Sequence, residues 1–131
     1  MNINCQILVA ENVEFNPTIK KHSIYNILNK IEVPIFPSAI VTHVYFKYYF
    51  QSGLDFDNVI CHIKIIDPSN ETIYEAILPE LINLRHPEMT PGIDGVVELR
   101  FPVYMEGNYE YAIYANDKKI SSYPVYLERN I

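Results

Sequence analysis

Along residues 40–51 the chain alternates. Ile40, Thr42, Val44, Phe46, Tyr48 and Phe50 hold the even positions, while His43, Lys47 and Gln51 share the odd ones with Tyr45 and Tyr49. Successive side chains of an extended strand leave by opposite faces, so a period of two over a dozen residues predicts a strand with one face in a core. The pattern recurs over 58–66, where Val59, Cys61, Ile63 and Ile65 oppose His62 and Lys64, and over 95–103, where Val97, Leu99, Phe101 and Val103 share a face. Residues 3–10 place Cys5, Ile7 and Val9 on one side and Gln6 and Leu8 on the other, a strand with both faces partly covered. Residues 11–17 read as a polar connection. Residues 22–33 read as one strand, although Ile24, Ile27, Leu28 and Ile31 also match a helical stripe.

Turn signals divide these runs. Pro34 and Pro37 break the chain, Gly53 centres a turn over 52–57, and Asp67-Pro68-Ser69-Asn70 carries a preset φ with side chains that bond the local backbone. If the strands on either side of the Gly53 turn form a hairpin, one register sets Phe46 opposite Ile63, Val44 opposite Ile65, Lys47 opposite His62 and Tyr45 opposite Lys64, with all apolar partners on one face. Residues 72–78 resume the strand pattern, and 79–94 are irregular, either a functional loop or an arm over a sheet end. Residues 107–115 and 118–127 form a terminal hairpin about Asn116-Asp117, in which Pro124 marks an edge or a bulge. Seven or eight short strands predict an all-β chain, a two-sheet antiparallel β-sandwich of the immunoglobulin-like kind, with residues 1–131 as one domain.

Composition sharpens this picture. Eleven Tyr and six Phe, with many Ile and Val, favour strands over helices. A net charge of −6 lacks the basic excess that a nucleic-acid footprint needs, and no apolar run is long enough to span a bilayer. The start lacks the basic and small-residue pattern of a secretory signal, so a cytoplasmic location is expected. Cys5 and Cys61 are then expected as free thiols, with a bridge between two strands of one sandwich as the alternative.

The residue types that carry chemistry do not converge. Cys61 and His62 are adjacent and point to opposite faces, and His22, His43 and His86 lack metal-ligand spacing. Neither a metal nor a cofactor is expected. A Cys61–histidine pair would be the one nucleophilic candidate, but Cys61 falls in the apolar row of its strand, where burial silences a thiol. Asp55 and Asp57 read as a solvated turn, and the glycines match no phosphate cradle. The less bland feature is aromatic. Tyr45 and Tyr49 are expected on an outer face, Tyr114 faces away from Tyr111 and Ile113, and His62 lies on an outward row. Such a surface docks a protein or stacks on a sugar. The expectation is a non-enzymatic module that binds a protein partner or itself. The alternative is a carbohydrate- or small-ligand-binding sandwich that uses Tyr45, Tyr49 and the loops at one sheet end.

One stretch resembles a known pattern. Lys21-His22-Ser23-Ile24-Tyr25-Asn26-Ile27-Leu28-Asn29-Lys30-Ile31, then Phe36-Pro37, and the closing Gly107-Asn108-Tyr109-Glu110-Tyr111 are similar to a family of short bacterial proteins of unknown function. Those proteins begin with a strand carrying Cys and Asp. They continue through Gly-Lys-x-Ser-(Leu/Ile)-x-Gly-(Ile/Val)-Phe-Asp-x-Ile and end in a Gly-x-Tyr hairpin. Here Asn26 stands in place of a Gly, Leu28 in place of Phe, and Glu11 nearest to the Asp. Asn also adopts a positive φ. The resemblance implies an all-β sandwich in a bacterial cytoplasm, with no catalytic residues to carry over.

Overall fold

A computed structural model describes residues 3–51 and 59–130. Its strands are β1 (Ile3–Asn16), β2 (Lys21–Ile27), β3 (Lys30–Val33), β4 (Ser38–Phe50), β5 (Cys61–Ile66), β6 (Thr72–Ile77), β7 (Gly92–Val103), β8 (Gly107–Ala115) and β9 (Lys118–Arg129). They form a four-stranded sheet ordered β2-β1-β4-β7 and a five-stranded sheet ordered β3-β9-β8-β5-β6. The expected two-sheet sandwich therefore forms, with nine strands among the described residues where seven or eight were expected. The helical alternative for 24–31 does not occur.

The alternating row of β4 is the centre of the core. All its even positions from Ile40 to Phe50 are buried. They face Cys61, Ile63 and Ile65 of β5 and Tyr109, Tyr111 and Ile113 of β8, which belong to the same buried cluster. Phe101 of β7 packs edge-on against Tyr111 across the two sheets, with ring centres 5.9 Å apart. Burying each such side chain contributes about 1.5–3 kcal/mol.

Four expectations need correction. First, β4 and β5 are not a hairpin. Phe46 pairs with Ile7 and Gly95, and Lys47 with Gln6 and Asp94, whereas Ile63 pairs with Ala76 and Ile113 and His62 with Ile77 and Tyr114. The chain changes sheets between the two strands. An apolar row facing inward from either of two stacked sheets has the same parity as a row shared by a hairpin, so alternation alone does not separate them. The turn expected at 52–57, with Gly53, Asp55 and Asp57, lies outside the described residues.

Second, 22–33 is two strands in different sheets. Leu28 N–H still donates to Val9 C=O of β1 at 2.8 Å, while Asn29 C=O already accepts from Tyr126 of β9 at 3.0 Å. Asn26 makes the approach bend in the left-handed region at φ 56°. Because the chain crosses without reversing, β3 runs parallel to β9 in an otherwise antiparallel structure. Third, β1 continues to Asn16, so 11–16 is strand and not connection, and the turn begins only at Pro17. Its polar half pairs with β2, from Asn12↔Tyr25 to Asn16↔Lys21. Fourth, β7 begins at Gly92, three residues before the expected start. The turn at Asp67–Asn70 and the terminal hairpin form as read: Asn70 N–H donates to Asp67 C=O at 2.9 Å, and Asn116 sits at φ 52°. Pro124 pairs with Glu110, in the part of β9 that precedes its contact with β3.

Among the described residues Thr42 is the buried polar residue of the core, and its hydroxyl bonds the Tyr111 hydroxyl at 2.9 Å. Tyr111→Phe or Thr42→Val leaves one hydroxyl buried and unpaired, at a cost of about 1–3 kcal/mol each. The double variant removes both hydroxyls, so urea unfolding should show it losing clearly less than the sum of the two single losses.

Candidate functional site

The outer face of the five-stranded sheet carries a row that crosses four strands. Ile77 of β6 pairs with His62 of β5, His62 with Tyr114 of β8, and Tyr114 with Lys119 of β9. All four residues lie on the outward parity of their strands. Direct cross-strand neighbours have their Cβ atoms about 5 Å apart. The His62 and Tyr114 rings accordingly stack with centres 5.5 Å apart and planes 7° from parallel. Lys64, one outward step along β5, sets its Nζ 4.6 Å from the Tyr114 ring centre, a cation–π contact. His62 Nε2 lies 3.5 Å from Glu75 Oε1, and Lys119 Nζ lies 3.1 Å from Glu110 Oε1. The tyrosine ring is thus braced by its ladder partner and by a cation, and titratable groups around it are committed to one another.

A groove of about 480 Å³ runs beside Tyr114, bordered by Asn70, Asn108, Glu110, Lys119 and Pro124. One wall is the Asp67–Asn70 turn, held by Asp67 Oδ1 accepting from Ser69 and Glu71 N–H groups at 2.9 Å each.

Tyr45 and Tyr49 point outward as read, but from the other sheet. The four predicted binding residues therefore divide between the two opposite outer faces: Tyr45 and Tyr49 on one, His62 and Tyr114 on the other. Tyr45 is half-buried, with its ring edge-on to His22 at 5.0 Å, and His22 in turn touches Phe15 at 4.8 Å. Burial first, then the nearby Asp94 carboxylate, push the Tyr45 hydroxyl's pKa up against the opposing effect of Arg85. Tyr49 borders a shallow depression of about 330 Å³ with Gln6, Lys47, Arg85 and Thr90. The irregular 79–91 segment supplies Arg85, whose guanidinium bonds Asp94 Oδ1 at 2.8 Å and Thr90 C=O at 3.3 Å. Sequence reading missed Arg85, Lys64 and Lys119. Arg85 has no periodic context, and the two lysines become visible only once β5 and β9 are known to flank β8.

The two thiols are free. Cys61 is buried on the inward parity of β5, opposite in direction to its neighbour His62. Burial, and secondarily Cys61, push the Cys5 thiol up to about 12, against a bond from Ser121. Burial pushes Cys61 up as well. The Tyr48 hydroxyl, buried beside both thiols, resists ionisation first through burial and then through its thiol neighbours. Among the described residues no group of three His, Cys, Asp or Glu side chains is placed to hold a metal ion. Nor is any helix there long and apolar enough to cross a membrane.

No protein-family model matches the chain, and no curated protein matches it. Among solved structures, the chain is similar to an immunoglobulin-like protein from Pseudomonas aeruginosa, with a TM-score of 0.48 and 10% identity over 98% of each chain. The class defined by the strands themselves is a β-sandwich of one four-stranded and one five-stranded sheet.

These thiols should be inert in the folded state. At pH 8 a thiol titrating near 12 is ionised in roughly one molecule in ten thousand. A disulfide reagent should therefore find almost no reactive thiol natively and both after guanidinium unfolding. The sign of the alkaline response follows from the same shifts. Below the ordinary thiol range, folded and unfolded chains are both protonated. Above it the unfolded chain loses protons that the fold retains, so the folded state's advantage shrinks as pH rises from about 9 towards 12. Thermal melts across that window should show a falling midpoint, and a rising one would contradict the burial of these groups.

Proposed function

We propose that this chain is a non-enzymatic, cytoplasmic interaction module that binds a protein partner or a second copy of itself. The observation that carries the reading is the Ile77–His62–Tyr114–Lys119 row. Ile77 is 78% exposed, beside a flat aromatic stack on two interior strands. Around it Lys119 is paired with Glu110 and Lys64 lies over the Tyr114 ring. An apolar and aromatic centre inside a polar rim is the composition of binding hot spots, and side chains fixed by a strand ladder lose little freedom on binding. The thiol chemistry supports the non-enzymatic part, because the nucleophile candidate Cys61 is held neutral by burial, as is Cys5. Two unbridged cysteines fit a reducing compartment.

A second reading has its own observation. The groove beside Tyr114, bordered by Asn70, Asn108, Glu110 and Lys119, offers amide, carboxylate and ammonium groups next to an aromatic wall. That set suits a saccharide or another small polar ligand. It moves the sugar-binding alternative away from Tyr45 and Tyr49.

Capture from the native cell with the purified chain and its Tyr114→Ala variant tests the first reading. A partner held by the wild type should be lost about tenfold or more by the variant, whose melting temperature should barely change. Equal capture by both proteins would remove the row from the interface. A thermal-shift screen against mono- and oligosaccharides tests the second reading, since a ligand of the folded state must raise the midpoint by mass action.

A further inference from the structure

The free edge of β7 is complementary to itself. β7 ends its sheet, and its register with β4 runs unbroken from Ser38↔Val103 to Tyr49↔Gly92. One step further in the same register, Phe50 N–H donates to Pro91 C=O at 3.0 Å, so that pair is a hydrogen-bonded one. Bonded and non-bonded pairs alternate along an antiparallel ladder. The odd residues of β7 therefore turn their main-chain groups towards β4, and the even residues turn theirs to the open side. Two further observations agree. Pro102, with no N–H, falls at a non-bonded position opposite Ala39. The groups of Gly92 are taken on the open side, where its N–H donates to Asn83 Oδ1 and its C=O accepts from Leu84 N–H, each at 3.2 Å.

The unpaired edge thus begins at Asp94 and ends at Arg100. The outward N–H and C=O groups of Asp94, Val96, Glu98 and Arg100 have no partner among the described residues. We infer that this edge pairs, antiparallel and two-fold, with the same edge of a second copy, centred on Val97. That register sets Asp94 opposite Arg100 on both sides and Val96 opposite Glu98, and every outward N–H meets a C=O. The neighbouring registers that keep the bonded positions together are worse. Centring on Val96 sets Asp94 opposite Glu98, and centring on Glu98 sets that carboxylate opposite itself; like charges directly opposite are destabilising. Centring on Leu99 brings Pro102, with no N–H to donate, against Val96. Asp94 keeps its Oδ1 bond to Arg85 in the favoured register, and its second oxygen is available to the incoming Arg100. Val97, inward and only half-buried where Leu99 and Phe101 are fully buried, meets its own copy at the two-fold.

The pairing joins two four-stranded sheets into one continuous sheet. It stops at both ends, at the edge capped by Asn83 and Leu84 and at Pro102, so it makes a closed dimer and not a fibre. This inference rests on the interaction-module reading and names a second copy as the partner.

Sedimentation of the purified full chain at high micromolar concentration tests it. The expected mass is twice that of one chain. Val96→Pro removes an outward N–H at an edge position that tolerates proline, and Arg100→Glu places a like charge opposite Asp94. Each should weaken dimerisation at least about tenfold while leaving the far-ultraviolet circular dichroism unchanged. A Val97→Cys variant, oxidised with copper phenanthroline in air, should link to its own copy on a non-reducing gel, since opposed non-bonded residues meet the reach of a disulfide. A wild-type chain of single mass, or a dimer that survives both edge variants, overturns the inference. Neither outcome touches the wider reading, which the capture experiment with Tyr114→Ala decides.

Discussion

The inward row of β4, Ile40-Thr42-Val44-Phe46-Tyr48-Phe50, pressed against the facing β5 and β8, is the contact on which the rest of the molecule depends. β4 is paired on both sides, with β1 from His43 to Phe50 and with β7 from Ser38 to Tyr49. Its parity therefore sets the parity of both neighbours. A slip of one residue would turn the apolar row to solvent and drive Lys47 and His43 into the core, so the register has one acceptable solution. Gly95 shows how tightly the solution is drawn: a Cβ there would sit 2.4 Å from the Phe46 ring. Because the inward set is fixed, the outward set is fixed too, and with it the two aromatic faces and the open edge.

Much of this was legible in the sequence. The alternation of β4 held at every position because a central strand with one buried face has no other way to satisfy its side chains. Local turn chemistry also read correctly at Asp67–Asn70 and Asn116, where the side chain or the tolerated positive φ does the work within a few residues. The errors came where the deciding contact is distant. Nothing between Leu28 and Asn29 resembles a break, because the chain passes from one sheet to the other through a single peptide, with Val9 and Tyr126 as the partners that divide it. The β4–β5 hairpin was plausible because two stacked sheets present the same inward parity as two paired strands.

The candidate site suffered from the same ambiguity. Tyr45, Tyr49, His62 and Tyr114 were each assigned the correct outward direction. Their grouping failed because β4 and β5 belong to different sheets, so outward means opposite directions in space. The structure instead divides these residues between two surfaces. One face is partly covered by the Phe15–His22 ring pair and by Arg85, which reaches across from the 79–91 segment. The other presents the half-buried His62–Tyr114 stack between exposed Ile77 and Lys119, with a polar groove alongside. The side of the first sheet adds a short length of unsatisfied backbone, bounded at both ends. Each is built on rigid strands, and these are the surfaces on which the proposed binding would fall.

Native-state hydrogen exchange, resolved by residue, bears most directly on the central claim. If β4 is clamped between β1 and β7 with its even side chains in the core, the amides from Val44 to Tyr49 should exchange only through global unfolding and share one free energy of opening. The β2 edge should open earlier. Alternate fast and slow amides along 44–49, or protection no greater than in β2, would mean that β4 is not the buried central strand and would contradict the account.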